Sequence, residues 1–159
     1  MSDPIDKGSS PGDIGLVVVD HGSRREASNE MLLEMVDMVR AAVPYRVVEP
    51  AHMELAEPSI ATAFRRCVDA GCRQVVVTPY FLLPGRHWSQ DIPELAEKAA
   101  AEHPGVEFMV SAPLGLHPLM AQVVGARVEH CLRHVAGDAP ECEACAGTGV
   151  CVMRSGSAA

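Results

Sequence analysis

Short apolar runs alternate with amphipathic segments along most of this 159-residue chain, and this alternation restricts the fold more than any other feature of the sequence. The runs predict four strands, at residues 14–19, 45–51, 73–81 and 106–114. Apolar side chains at helical spacing predict four helices, at residues 24–43, 58–70, 89–102 and 117–135. Because the strands are apolar throughout, we expect them to be parallel and covered on both faces. The sequence therefore predicts one α/β domain over residues 14–135, with helices flanking a four-stranded parallel sheet.

The segments on either side of this predicted domain differ from it in composition. Residues 1–13 are polar and acidic, and we expect them to form a flexible N-terminus. They resemble neither a secretory signal nor an Arg-rich transit peptide, so any targeting segment is expected to be absent or already removed. Residues 136–159 are rich in small residues and cysteine, which predicts a separate Cys-rich tail.

The charge and hydropathy of the chain restrict its partners. A net charge of -8 argues against nucleic acid as the main partner. No apolar run approaches the roughly 20 residues that cross a bilayer, so we expect no membrane partner. An anionic substrate would need a local group of basic residues to offset the overall negative charge.

Histidines follow the predicted strands at one end. His21 follows the first strand, His52 the second, His87 the third and His117 the fourth. In open α/β sheets, ligands bind at the carboxyl ends of the strands. A single loop histidine carries little information, but four at successive strand ends predict a functional edge of the sheet.

No nucleotide-binding motif accompanies these histidines. The chain has neither GxGxxG after the first strand nor GxxxxGK[ST]. Ser23 lies two residues after His21 without a GxSxG elbow, which leaves a serine hydrolase as a weak alternative. Neutral imidazoles with a carboxylate suit a borderline divalent metal such as Fe(II), Co(II), Ni(II) or Zn(II). Asp20, beside His21, is a candidate to orient that imidazole.

Four long segments resemble the CbiX/SirB class of sirohydrochlorin chelatases. They are VVVDHGSRREASNEML, PAHMELAEPSI, VVVTPYFLLPGRHWSQDIP and APLGLHPLM, and together they cover about residues 14–135. The resemblance implies a flavodoxin-like sheet and the insertion of a divalent metal into sirohydrochlorin, an anionic tetrapyrrole. It implies a homodimer for a chain with one such unit. Ferrochelatase is the expected activity, with Fe(II) as the substrate metal; cobaltochelatase and a non-catalytic metal or tetrapyrrole carrier are the alternatives.

The resemblance also implies which residues handle the metal. The two metal-handling and catalytic histidines of the class match His21 in DHGSR and His87 in PGRHW. Glu54, after the second predicted strand, is a less secure match to a further metal ligand. Such a set would hold the ion and release it again, whereas a closed four-ligand cage would trap it.

Basic and aromatic residues beside these histidines are candidates to bind the tetrapyrrole. Arg24, Arg25 and Arg86 are placed to bind its carboxylates. As an alternative, Arg24 and Arg25 are solvated residues in the first turn of a helix. Trp88, the only tryptophan, is expected either to cover the macrocycle face or to belong to the core.

The cysteines fall into two groups. Cys67 and Cys72 lie on or just after the second predicted helix, and we expect both to be buried and inert. The other four have the spacing C-x10-C-x2-C-x5-C and are a moderate signal for a metal or Fe–S site: Cys131, Cys142, Cys145 and Cys151.

The segment CLRHVAGDAPECEACAGTGVC resembles the tail of the plastid sirohydrochlorin ferrochelatases of plants and algae. That resemblance implies a [2Fe-2S] cluster on the four cysteines and a location in the chloroplast stroma; without it, a cytoplasmic location is expected. Structural zinc is the first alternative for the four thiolates. A dithiol or disulfide switch of the three tail cysteines is the second.

Overall fold

The computed structural model describes residues 10–156. Of the predicted flexible N-terminus, residues 1–9 lie outside the described residues, and Pro11–Asp13 form a 3-10 turn. The chain divides into two compact units, one ending at Gly115 and the other beginning at Leu116. None of the helices within residues 10–156 combines the length and the apolar character needed to cross a bilayer.

The first unit contains all four strands and three helices. The strands are β1 (Ile14–Asp20), β2 (Val47–His52), β3 (Gln74–Pro79) and β4 (Glu107–Val110). The helices are α1 (Glu26–Ala42), α2 (Ile60–Asp69) and α3 (Ile92–Ala101), and a π-helical turn (His87–Asp91) precedes α3. The predicted strands and helices are confirmed, each with ends shifted by only a few residues.

The four strands form a parallel sheet in the order β2-β1-β3-β4. This is the flavodoxin-like order, in which the chain reverses direction across the sheet after β2. Pro50 lies within β2, and the edge position of that strand tolerates a residue that cannot donate a backbone hydrogen bond. The predicted α/β fold class is confirmed.

Both faces of β1, β2 and β3 are covered, because successive side chains of a strand point to opposite faces and helices pack on each. β4, at the edge of the sheet, is largely exposed. On one face, strand valines pack with side chains of α2 and α3, and the fully buried members include Val17, Val19, Val75, Val77, Phe64 and Ile92. On the other face, strand residues pack with side chains of α1, and the buried members are Leu16, Val18, Val48, Leu32 and Val36. This two-sided burial explains why the strands read as apolar throughout.

Cys67 and Cys72 belong to the first of these packed faces, so the prediction that both are buried is confirmed. Burial raises the pKa of Cys67 to about 12, so this thiol stays protonated at neutral pH.

The second unit contains helix α4 (Pro118–Val135) and the cysteine-rich segment that follows it. Pro118 occupies the first turn of α4, where a missing N–H costs nothing. His117 is the N-cap residue, and its Nδ1 accepts a hydrogen bond from the Leu119 N–H at 3.2 Å. This histidine therefore has a local capping function.

The packing of α2 on the sheet leaves little space for a side chain at Gly15 of β1. A Cβ at this position would lie 2.7 Å from the Cys67 Cβ and 2.8 Å from its sulfur. We expect Gly15→Ala to lower the free energy of unfolding by about 1–3 kcal/mol, because the buried strand and helix cannot separate without losing contacts. Chemical denaturation followed by far-UV circular dichroism measures this change.

Gly12→Ala is the matched control, because the nearest atom to its added Cβ would be the Ser10 Oγ at 3.6 Å. Equal denaturation midpoints for the two variants would contradict the packing described for Gly15.

Candidate functional site

Backbone pairing beyond the ends of β1 and β2 brings His21 and Glu54 together. The Met53 N–H donates to the Asp20 carbonyl at 2.8 Å, and the Glu54 N–H donates to the His21 carbonyl at 3.1 Å. The side chains then meet, with His21 Nε2 lying 3.0 Å from Glu54 Oε1. The predicted association of Glu54 with His21 follows directly from the parallel register.

Gly22 allows this close approach. Its φ of +88° lies in the left-handed region that favours glycine. An added Cβ would lie 1.9 Å from the Glu54 carbonyl oxygen, so no other residue fits here without moving the backbone. The turn after β1 is therefore narrow enough to place one strand end directly against the next.

The π-helical turn after β3 presents His87. The Ile92 N–H bonds to the His87 carbonyl, and this wider turn leads directly into α3. The ring centroids of His87 and His21 are 5.2 Å apart, with an angle of 67° between the ring planes. The structure thus brings the two predicted metal-handling histidines together at the carboxyl edge of the sheet.

The hydrogen bonds of His21 define which ring nitrogen faces the site. Its Nδ1 lies 3.1 Å from the Gly22 carbonyl oxygen, which can only accept, so Nδ1 carries a proton. Nε2 faces the Glu54 carboxylate, so a cation entering the site would meet a ring nitrogen and a carboxylate oxygen that lie 3.0 Å apart.

Asp91 holds the second imidazole. The His87 Nδ1 lies 2.7 Å from Asp91 Oδ2, so Nδ1–H donates to the carboxylate and the Nε2 lone pair is free to bind a metal. Sequence analysis missed Asp91. Its spacing of four residues from His87, which puts the two on one face of a helical turn, is the signal that would have found it.

The site is open. The side chains of His21 and Glu54 are 42% and 54% exposed, and that of His87 is 48% exposed. Within residues 10–156, no group of three or more His, Cys, Asp or Glu side chains is arranged to hold a metal ion. The exposure of His21, Glu54 and His87 leaves these side chains open to an entering ligand.

The predicted substrate-binding arginines are exposed. Arg86 is 79% exposed, and its Nε lies 4.0 Å from the same Asp91 carboxylate that holds His87. Arg24 and Arg25 immediately precede α1, which begins at Glu26, and Arg25 is its N-cap residue. Both side chains are free to reach solvent at the end of β1.

Trp88 is half-buried, and its Nε1–H donates to the Ser111 carbonyl at 3.0 Å. This bond ties the π-helical turn to the chain just after β4. Because Trp88 is the immediate neighbour of His87, the indole helps to fix the turn that presents the imidazole.

The other residues singled out near His21 have structural partners. His52 is buried at 1% exposure, and its Nδ1 lies 2.6 Å from Asp20 Oδ1. Asp20 does not bond to His21 directly, because its carboxylate bonds to His52 and to the Gly22 N–H. Ser23 Oγ accepts a hydrogen bond from the Arg25 N–H, a turn-forming contact that gives the serine-hydrolase alternative no support.

The four cysteines predicted to share a site lie near one another in the second unit. The sulfurs of Cys142 and Cys145 are 3.5 Å apart. The thiols of Cys131 and Cys145 lie close enough to Cys151 to raise its pKa. The four cysteines thus lie near one another, with Cys142 and Cys145 as neighbours in one turn.

Two of these cysteines differ in their electrostatic surroundings. Backbone N–H groups of Cys145 and Ala144 lower the pKa of the Cys142 thiol by stabilising its thiolate. Loss of solvation and the neighbouring Cys131 thiol together raise the pKa of Cys151 to about 11. Backbone N–H groups directed at a sulfur are typical of loops that carry thiolate ligands.

Comparison with known proteins gives concordant matches. The CbiX family profile matches residues 15–131. The chain is 54% identical over 143 residues to the chloroplastic sirohydrochlorin ferrochelatase of Arabidopsis thaliana, an alignment that covers 90% of this chain and 64% of the relative. It is 30% identical to the sirohydrochlorin ferrochelatase of Bacillus subtilis strain 168, over 72% of this chain and 44% of the relative. The chain therefore spans less than two thirds of the length of these curated relatives.

Solved structures show the same fold. The sirohydrochlorin chelatase SirB of Bacillus subtilis subspecies spizizenii, in complex with cobalt, superposes with a TM-score of 0.70 at 30% identity, covering 74% of this chain and 50% of SirB. SirB from Bacillus subtilis with Fe3+ gives a TM-score of 0.67 at 30% identity over 77% of this chain and 47% of SirB. A CbiX protein from Marinobacter aquaeolei VT8 gives a TM-score of 0.66 at 30% identity over 76% of this chain and 98% of its own length.

The family profile covers both strand ends that carry the paired histidines and continues into α4. The structural matches extend over about three quarters of the chain. With this sheet order and this pair of edge histidines, the chain belongs to the CbiX family.

Proposed function

We propose that this chain is a sirohydrochlorin ferrochelatase, a lyase-class chelatase that inserts Fe(II) into sirohydrochlorin to give sirohaem. The observation that carries the proposal is the adjacent placement of His21, Glu54 and His87 as a half-exposed donor group at the carboxyl edge of the sheet. The Arabidopsis relative, at 54% identity, bears the name of this activity. The cobalt and Fe3+ complexes of SirB are further support for metal handling on this fold.

The donor group is suited to delivery of the substrate metal. Fe(II) binds the Nε2 atoms of His21 and His87, with the Glu54 carboxylate as a third donor. When Fe(II) passes to the macrocycle, two pyrrole N–H protons must leave. The vacated Nε2 of His21 accepts one of them, and the other passes to solvent water.

The arginines supply the positive charge that an anionic tetrapyrrole requires. Arg24, Arg25 and Arg86 bind its carboxylates, and their planar guanidinium groups can do so with two hydrogen bonds each. The exposure of all three side chains at the edge that carries the histidines supports this assignment. The overall charge of -8 makes this local positive group necessary.

Cobaltochelatase is the second candidate activity. It is favoured by the cobalt complex of SirB and by the sirohydrochlorin cobaltochelatase of Methanococcus maripaludis, which is 41% identical over 80 residues, half of this chain. Imidazole and carboxylate bind Co(II) as well as Fe(II), so the donor set is compatible with both metals.

A homodimer is part of the proposal. This chain corresponds to half of the SirB chain and to nearly the whole of the Marinobacter chain. Two copies would supply as much structure as one long chelatase. The chloroplast stroma is the proposed location, supported by the designation of the Arabidopsis relative as chloroplastic.

The cysteines of the second unit are proposed to hold a [2Fe-2S] cluster. Such a cluster takes four thiolates, and the second unit brings Cys131, Cys142, Cys145 and Cys151 near one another. The donor set therefore fits the cluster in number and in chemistry. Structural zinc would need the same four thiolates around one ion and is the alternative.

Metal insertion tests the assigned histidines. We expect His21→Ala and His87→Ala each to lower kcat/KM for Fe(II) insertion into sirohydrochlorin by about 100-fold or more, because each loses a metal donor or proton acceptor. The measurement follows the absorption change of the macrocycle, with Fe(II) and Co(II) in parallel reactions. Faster insertion of Co(II) than of Fe(II) would favour cobaltochelatase.

His103→Ala is the matched control. His103 follows α3 and precedes β4, at the opposite end of the strands from His21 and His87. Wild-type protein that binds sirohydrochlorin without accelerating insertion of either metal would be a carrier, and the proposed activity would be wrong.

Asp91 gives a second test of the site. We expect Asp91→Ala to weaken insertion by about 10- to 100-fold, because the His87 ring loses the acceptor that orients it. Asp91→Asn keeps an acceptor oxygen and should lose less. Glu97→Ala, an exposed acidic residue of α3, controls for the change in charge. Equal rates for Asp91→Ala and Glu97→Ala would remove Asp91 from the mechanism.

The cluster has a spectroscopic test. Protein purified without oxygen should be brown and contain iron and acid-labile sulfide in equal amounts, because a [2Fe-2S] cluster absorbs visible light. Cys142→Ser and Cys145→Ser should lose the colour, whereas Cys72→Ala, in the core of the first unit, should keep it. Colourless protein with stoichiometric zinc would contradict the cluster and support the zinc alternative.

A further inference from the structure

We propose that the side chains of Asp20 and His52 together hold His21 and Glu54 in position. We call this pair of side chains the brace; His52 is its buried member. Neither residue of the pair is among the proposed metal donors. The inference rests on the proposed function only in taking His21 and Glu54 as the groups whose placement matters. Three sets of contacts support it.

The first is the burial and bonding of His52. Its side chain is 1% exposed, and Nδ1 lies 2.6 Å from Asp20 Oδ1. A carboxylate oxygen accepts, so the imidazole donates from Nδ1. The two residues lie directly opposite each other in the parallel register of β1 and β2. The bond therefore ties the last residues of both strands together at the edge where the donor group begins.

The second set of contacts leads from the brace to His21. The same Asp20 oxygen accepts the Gly22 N–H at 3.0 Å. The Gly22 carbonyl in turn accepts the proton of His21 Nδ1 at 3.1 Å. Both polar groups of Gly22 are thus fixed, one by the brace and one by His21. Loss of the brace would leave the Gly22 peptide free to turn, and the His21 ring would lose its orientation.

The third set of contacts leads to Glu54. The backbone N–H of His52 donates to the Pro58 carbonyl at 2.7 Å, and His52 also forms an isolated bridge with Ser59. The backbone of His52 therefore joins the two ends of the segment 53–57, which carries Glu54. The side-chain bond to Asp20 holds the same residue against β1.

A positioning role explains why the buried residue 52 is a polar histidine paired with Asp20. Replacing a buried polar pair by apolar residues of similar volume often leaves stability unchanged or raises it, so burial of the pair is weak evidence for a role in folding. An apolar side chain would fill the volume but give Gly22 no partner. The brace therefore orients the groups of the site, whereas leucine would fill the same volume without orienting them.

The test uses the full chain and Co(II) as the probe, with binding followed by the visible absorption of the bound ion. We expect His52→Leu to weaken Co(II) binding by about 10- to 100-fold, a loss typical of a removed partner behind a metal ligand. His52→Asn should recover most of the affinity, because the Asn amide places a donor where Nδ1 stood. Gln74→Leu, a buried polar residue at the start of β3, is the matched control and should bind Co(II) like the wild type.

Two outcomes would overturn the brace. One is wild-type Co(II) affinity in His52→Leu, and the other is an Asn variant that binds no more tightly than the Leu variant. If His52→Leu fails to fold, the comparison of His52→Asn with His52→Gln replaces it, because the longer Gln side chain places its amide away from the Nδ1 position. Equal affinity of these two would overturn the brace.

The same samples separate this inference from the proposed activity. Wild-type protein that binds Co(II), loses affinity in His52→Leu and yet inserts no metal into sirohydrochlorin would overturn the proposed function alone. Wild-type protein that inserts metal, with unchanged Co(II) affinity in His52→Leu, would overturn the brace alone.

Discussion

The parallel pairing of β1 with β2 is the interaction on which the arrangement at the sheet edge depends. In this register Asp20 lies opposite His52, and backbone bonds extend the pairing to His21 and Glu54. A slip of one residue would turn every side chain of β2 to the other face of the sheet. Glu54 would then no longer face His21. The hydrophobic burial of both strands enforces the register, so packing of the core determines the chemistry at the edge.

How much of this could be predicted from the sequence depends on the range of the interactions. The strands and helices follow from local periodicity, and the pairing of His21 with His87 follows from the rule that parallel strands end at one edge. The burial of His52 could not be predicted, because it depends on which residues stand opposite in the register. The spacing of Asp91 from His87 fits one face of a helix, whereas the π-helical turn that carries both residues has no clear sequence pattern.

Nearness in sequence to a predicted site residue did not predict which side chains bond to one another. Asp20 is the neighbour of His21 in sequence, yet in a strand successive side chains point to opposite faces, so its carboxylate reaches His52 across the sheet. Likewise, His117 follows the last strand, as the edge pattern predicted, but its ring accepts a backbone N–H as the cap of α4. Placement at an edge identifies candidates, and the orientation of each side chain then decides among them.

The first unit combines a rigid interior with open donors. Behind the edge, His52 is buried, and both the N–H and the carbonyl group of Gly22 are hydrogen-bonded. In front of it, His21 and His87 are about half exposed, and the donors do not enclose an ion. The proposed delivery of a metal needs both properties. The fixed imidazoles would present two nitrogen donors at one spacing to the incoming ion, and their exposure would leave room for the ion to pass on. A fourth fixed donor would bind the ion more tightly and slow its transfer, so an open donor group suits the proposed delivery.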